Sequence, residues 1–128
     1  MSAAHGAGVT FVVVAADGTP VGCDVEPAAE RPAADWAGLL GPTQFALASL
    51  LSAEHDEDLS LAATRVWTAM ECLRKMGQAR TEPVMAAAPR ADRWVLLRCG
   101  GTRIATFTTS LQDWDGQVVF AMSIEGDE

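Results

Sequence analysis

Three β-rich runs in the last third of the chain, residues 94–99, 103–109 and 117–124, are separated only by Gly100-Gly101 and by a segment ending in Asp113-Trp114-Asp115-Gly116. Connections this short join strands as antiparallel neighbours. Upstream of them the apolar period changes to that of a helix. Leu59, Ala62, Ala63, Val66, Met70 and Leu73 fall at spacings of three and four, which predicts a helix over residues 58–76 stopped by Gly77. Strands gathered after helices, rather than alternating with them, predict an α+β fold in which an antiparallel sheet packs against two or three helices.

The first half of the chain adds strands and shorter helices to that frame. The β-branched run over residues 9–16 closes on Asp17-Gly18-Thr19-Pro20, and a second strand is expected over residues 20–26. The two are expected to pair as an antiparallel hairpin whose first strand, having almost no polar residue, is covered on both faces. Pro27-Ala28-Ala29-Glu30-Arg31-Pro32 cannot continue a ladder and leads to a short helix around residues 35–40. Gly41-Pro42-Thr43 opens another helix, with Phe45, Leu47, Leu50 and Leu51 apolar, running to about Glu54. The acidic stretch Glu54-His55-Asp56-Glu57-Asp58 reads as a solvated connection whose carboxylates favour the start of the next helix, with His55 part of that connection rather than a metal ligand. A further strand is expected within residues 81–88, and residues 125–128 read as a frayed tail.

At 128 residues and 49% hydrophobic content the chain is of a size for one domain with a real core. Its net charge of −8, from 17 acidic and 9 basic residues, argues against a nucleic-acid partner, because phosphate backbones need a cationic face. The start lacks a basic region of the secretory kind and the run over residues 9–16 is too short to span a bilayer, so a cytoplasmic protein without a membrane partner is expected. Cys23, Cys72 and Cys99 are odd in number and widely spaced, and read as buried or half-buried thiols.

Two short segments carry groups suited to chemistry. In Gly22-Cys23-Asp24-Val25-Glu26 the two carboxylates lie two apart on a strand, so they share a face roughly 7 Å apart along the backbone while Cys23 and Val25 face the other way. Two carboxylates on one covered face repel, which raises one pKa unless a hard ion such as Mg²⁺ sits between them. An edge strand open to water explains the same pair without a cation. In Trp67-Thr68-Ala69-Met70-Glu71-Cys72-Leu73-Arg74-Lys75, Glu71 and Lys75 are four apart on one helix face, where a plain surface ion pair explains them as well.

Taken together and in this order, Gly-x-Asp-x-Glu on a strand and Trp-Thr-x-x-Glu-x-x-x-Lys on a helix some forty residues later, the two segments resemble the signature motifs of the 4′-phosphopantetheinyl transferases. His5, shortly before the strands, stands where members often carry a histidine. The likeness covers roughly residues 5–80, and its Val-Gly-Cys-Asp-Val-Glu and Glu-Cys-Leu-x-Lys wording is nearest to the domains at the C-terminal end of enediyne-type iterative polyketide synthases.

The resemblance implies Mg²⁺-dependent transfer of the 4′-phosphopantetheine arm of coenzyme A to a serine of an acyl carrier protein. It implies Asp24, Glu26 and Glu71 as metal ligands, Glu71 also as acceptor of the serine proton, Lys75 as a phosphate-neutralising catalytic group, and His5 with Lys75 as coenzyme A contacts. Met70 departs from the pattern, since members usually place a lysine there; packing in the core is the plain alternative account of it. The longer members consist of two similar halves, so the chain is expected to be a fragment of a longer polypeptide that completes its site with an N-terminal half or with further copies of itself. Carrier proteins are usually acidic, and Arg74, Lys75 and Arg80, or Arg90, Arg93, Arg98 and Arg103, are the candidate basic contacts on this acidic chain. The alternative function is a non-catalytic transferase-like module for docking or oligomerisation in a polyketide synthase. An unrelated α+β fold with accidental motifs is the third reading, and under it the helix with Glu71 does not lie beside Asp24.

Overall fold

The structure is a computed structural model that describes residues 1–77, 82–87 and 94–124. Along the chain run β1 (Ser2–Gly6), β2 (Val9–Val13), β3 (Cys23–Pro27), α1 (Ala33–Leu40), α2 (Pro42–His55), α3 (Leu59–Lys75), β4 (Met85–Ala86), β5 (Trp94–Cys99), β6 (Thr102–Ser110) and β7 (Gln117–Ile124). Five of the strands form an antiparallel sheet in the order β3-β7-β6-β5-β4, and β1 and β2 form a separate two-stranded sheet. The fold is α+β: α3 packs on the large sheet, and α1 and α2 pack on α3. Among the described residues no helix is long and apolar enough to cross a membrane.

The longest helix is fixed at both ends by local chemistry. Asp58 caps α3 by accepting a hydrogen bond from the Ser60 amide at 3.0 Å, and Arg74 and Lys75 place positive charge at its C-terminal end. One face of α3, with Ala62, Ala63, Val66, Ala69 and Leu73, is fully buried against α2 and the sheet. Met70 is half-buried and packs on the same cluster, in accord with the plain packing account of that residue.

The expected pairing of residues 9–16 with residues 20–26 is not what forms. Residues 9–13 pair instead with Ser2–Gly6, in the register Ser2↔Val13, across a two-residue turn in which Ala7 and Gly8 both have positive φ, of 51° and 77°. Such a turn matches the twist of adjacent strands, but alanine in the left-handed region gives no advance signal of it. β3 takes β7 as its partner, Asp24 opposite Ala121. The Asp17 turn is present, with Asp17 Oδ1 accepting from the Thr19 amide at 2.9 Å, but it lies in the crossing from the small sheet to β3. Nor is β2 covered on both faces. Its residues alternate half-buried and exposed, with Phe11 inward and Val12 48% exposed.

The hairpin lies over one face of the large sheet and closes a second apolar cluster of Ala4, Cys23, Val25 and Val118, with Phe11 set edge-on to Phe120 at 5.1 Å. Two glycines permit the close approaches. A Cβ on Gly6 would stand 2.5 Å from the Val25 carbonyl oxygen, and one on Gly22 would stand 2.2 Å from the Cys72 carbonyl oxygen. The glycine of Gly-x-Asp-x-Glu therefore lets the start of β3 touch the backbone of α3.

The acidic connection is not simply solvated. Asp56 ends α2 with φ of 50°, and Asp58 caps α3, but Glu57 turns inward and pairs with Arg65, a side chain 3% exposed, at 2.8 and 3.1 Å. Arg65 also donates to the carbonyl and the hydroxyl of Thr106 at 3.1 and 3.0 Å, tying the middle of α3 to β6. All three cysteines are buried thiols outside any disulfide, as expected. Of residues 81–88, 81 and 88 lie outside the described residues, as do Arg80, Arg90, Arg93 and the 125–128 tail; the strand found there is Met85–Ala86.

Candidate functional site

Alternation along β3 divides its side chains as expected. Cys23 and Val25 pack under the hairpin, while Asp24 and Glu26 face α3. Although β3 is the edge of its sheet, Asp24 is only 5% exposed and Glu26 is half-buried, so these carboxylates are not simply emerging into water. The helix that carries Glu71 and Lys75 lies directly over them. Lys75 Nζ reaches Asp24 Oδ1 at 3.5 Å and donates to the Ala3 carbonyl of β1 at 3.3 Å. Residues about fifty positions apart in the chain are thereby joined.

The expected helix-face pair does not form between Glu71 and Lys75. Lys75 is drawn to the buried Asp24, and Glu71 is held instead by Arg74, at 2.8 and 3.0 Å. His5 is exposed on β1 with its Nδ1 3.0 Å from Thr10 Oγ1 across the hairpin. No hydrogen bond or ion pair among the described residues joins it to the carboxylates. Thr68 is wholly buried and donates to the Thr64 and Arg65 carbonyls within its own helix, so its part is structural.

The electrostatics are those of crowded acids. Burial raises the pKa of Asp24 despite the attraction of Lys75. Burial also raises Glu26, and the charges of Asp24 and Glu71 add to it, pushing its carboxyl up to about 7. At pH 7 Glu26 is therefore about half protonated, so the Asp24–Glu26 pair carries less than two full negative charges. Asp24 Oδ2 is buried with no hydrogen-bond donor. Burial and the neighbouring Asp24 raise the Cys72 thiol as well, so it stays protonated and is no nucleophile.

An unsatisfied buried carboxylate oxygen beside a second carboxylate fits a hard divalent ion with oxygen ligands. Among the described residues no three His, Cys, Asp or Glu side chains converge as a closed metal centre, and Glu71 is held at Arg74. The ready donors are thus Asp24 and Glu26, with Glu71 in electrostatic reach of Glu26.

Next to Glu26 a groove of about 290 Å³ opens between the chain leaving β3 and helices α1 and α3. Trp36, Trp67 and Arg31 line it. Trp67 was legible only as a motif letter, and Trp36 is buried with Nε1 donating to Ser60 Oγ at 3.0 Å. Of the basic residues considered for a protein partner, Arg74 and Lys75 are engaged by carboxylates, and Arg98 and Arg103 are paired opposite each other on β5 and β6.

Comparison with protein-family models, with curated proteins and with solved structures gives no match to this chain.

Proposed function

We propose that the chain is a Mg²⁺-dependent 4′-phosphopantetheinyl transferase-type domain, which transfers the phosphopantetheine arm of coenzyme A to a serine of an acyl carrier protein. The observation that carries this reading is the meeting of the two motifs: Lys75 of α3 on Asp24 of β3, with the charge of Glu71 felt at Glu26. The bound ion supplies charge neutralisation at the pyrophosphate, where phosphoryl transfer asks for positioning more than for covalent chemistry.

The side chains divide the remaining work. Asp24 and Glu26 would hold the ion, whose charge would favour the ionised form of Glu26. Glu71, at the surface end of the cluster, accepts the serine proton, and Arg74 holds its carboxylate in place. Lys75, pinned between Asp24 and the Ala3 carbonyl, keeps one positive charge at the centre. His5, exposed and bonded to Thr10, is left the outermost role, toward the coenzyme A phosphates.

A non-catalytic docking or oligomerisation module is the second reading. It is favoured by one observation, the engagement of Glu71 by Arg74 with no third metal-ligating side chain among the described residues turned to Asp24 and Glu26. Incubation with an apo carrier protein, coenzyme A and Mg²⁺, followed by the carrier's mass, separates the two. The transferase reading expects pantetheine addition that is lost in Glu71→Ala. Absence of addition, also with the chain extended at its N-terminus, favours the module.

A further inference from the structure

The ladder between β3 and β7 is closed at its Gly22 end by a side chain. Cys23 lies opposite Met122, which sets Gly22 opposite Ser123. The Ser123 amide donates to the Gly22 carbonyl at 3.0 Å, and the return bond runs from the Gly22 amide to Ser123 Oγ, also at 3.0 Å. In a regular antiparallel rung the Ser123 carbonyl would be that acceptor; here the hydroxyl takes its place. Ala121 packs among the helix residues, so alternation along β7 turns Ser123 to the α3 side of the sheet, the side to which Asp24 and Glu26 point.

A bond to a hydroxyl on that side draws the start of β3 out of the sheet toward α3. Gly22 is there pressed on the helix backbone between the two residues of the second motif that matter most: a Cβ on it would stand 2.2 Å from the carbonyl oxygen of Cys72, which follows Glu71 and precedes Lys75, and 2.8 Å from Met76 Cγ. The next residue is held from the other sheet, the Cys23 amide donating to Ser2 Oγ of the hairpin at 3.2 Å. Immediately before Asp24 the chain is thus clasped by β7, α3 and β1 together. The contact this clasp leads into has little to spare. Lys75 Nζ and Asp24 Oδ1 are 3.5 Å apart, long for a hydrogen bond, so a small retreat of β3 from α3 loses it.

We infer that Ser123 is a positioning residue of the candidate site: by holding Gly22 against the Cys72 carbonyl, its hydroxyl sets the spacing between Asp24 and Glu26 on β3 and Glu71 and Lys75 on α3. Ser123 stands 101 positions from Gly22 and belongs to neither motif. Without its hydroxyl the Gly22 amide is left buried with no acceptor, or turns back to the Ser123 carbonyl and takes the strand with it into the sheet, away from α3. The part of Ser123 in cation binding rests on the function proposed above, whereas its setting of the Asp24–Lys75 contact does not.

A double-mutant cycle of Asp24→Asn and Lys75→Met, read by urea unfolding of the whole chain at pH 8, measures that contact, and its repetition in Ser123→Ala, Ser123→Thr and Ser52→Ala backgrounds tests the inference. Ser52, whose hydroxyl donates to the Glu57 carbonyl at the end of α2, serves as the control for a lost hydroxyl remote from the site. The Asp24–Lys75 coupling is expected to fall by about half or more in Ser123→Ala and to be kept in Ser123→Thr and Ser52→Ala. Ser123→Cys, close to serine in size but a weaker acceptor, is expected to lie between them and decides the matter should either of the other two fail to fold. Unchanged coupling in Ser123→Ala overturns the inference. So does an equal fall in Ser52→Ala or in Ser123→Thr, because the hydroxyl is then not what sets the contact. Calorimetric titration with Mg²⁺ tests the cation part separately: affinity is expected to weaken about tenfold in Ser123→Ala and to return in Ser123→Thr. Affinity within twofold of wild type in Ser123→Ala overturns the part in cation binding. Coupling lost as expected in a chain that binds no Mg²⁺ even as wild type keeps the positioning role and removes the proposed cation site.

Discussion

Glu26 is the residue on which the character of the site turns, because it keeps its proton to about pH 7 while a free glutamate loses it near 4.5. The raised value means that the folded chain holds more protons than the unfolded chain between those limits. Stability from this group is therefore fully present below about pH 4.5 and lost as pH rises through 7. Asp24, raised in the same direction, adds to the trend. Urea unfolding of the metal-free chain at pH 5 and pH 8 is expected to show the lower stability at pH 8, and Glu26→Gln, which has no charge to gain, is expected to reduce that difference. An equal difference in wild type and variant would place the effect elsewhere in this acidic chain.

At the scale of the element, α3 does three jobs, and its sequence announced only two. Its apolar stripe and its Glu71-to-Lys75 face were legible from spacing. Arg65 was not, because an arginine in mid-helix reads as solvated until β6 is known to lie across from it. It is held by Glu57 and Thr106, a buried ion pair with its donors well satisfied. Removing one partner leaves the other charged and buried, so Arg65→Ala and Glu57→Ala are each expected to cost about 3–5 kcal/mol in denaturant unfolding. Replacing both together by Met and Leu is expected to cost much less than the sum, since no charge is then left alone. The hairpin shows the converse. The β-branched run over residues 9–13 was legible as a strand, but its partner depended on Ala7 taking a left-handed conformation, a preference that alanine does not advertise. By contrast, β5 and β7 were legible residue for residue, because Gly100 and the Asp115-Gly116 turn mark their ends.

Across the whole molecule, Lys75 connects three parts that the sequence keeps far apart: the Ala3 carbonyl of the hairpin, Asp24 of the large sheet and the end of α3. The residues of this junction were legible as two motifs, but the contact with β1 was not, since nothing in Ser2–Gly6 predicts that its backbone will accept a hydrogen bond from a lysine. Lys75 therefore serves as an internal counter-ion for a carboxylate that is nearly buried. Lys75→Met removes the charge while keeping most of the stem, and is expected to lower stability at pH 8 by about 2 kcal/mol, the cost of leaving a buried carboxylate without its partner. A divalent ion held by Asp24 and Glu26, as proposed above, would relieve the same charge. Mg²⁺ at ten times its dissociation constant adds about 1.4 kcal/mol by mass action, so it is expected to restore most of what Lys75→Met loses. In the double variant Lys75→Met/Asp24→Asn the carboxylate is gone, and neither the loss nor the rescue is expected in full. Rescue that persists in the double variant would mean that the ion acts by screening the net charge of −8 at large, and Na⁺ at equal ionic strength would then do the same.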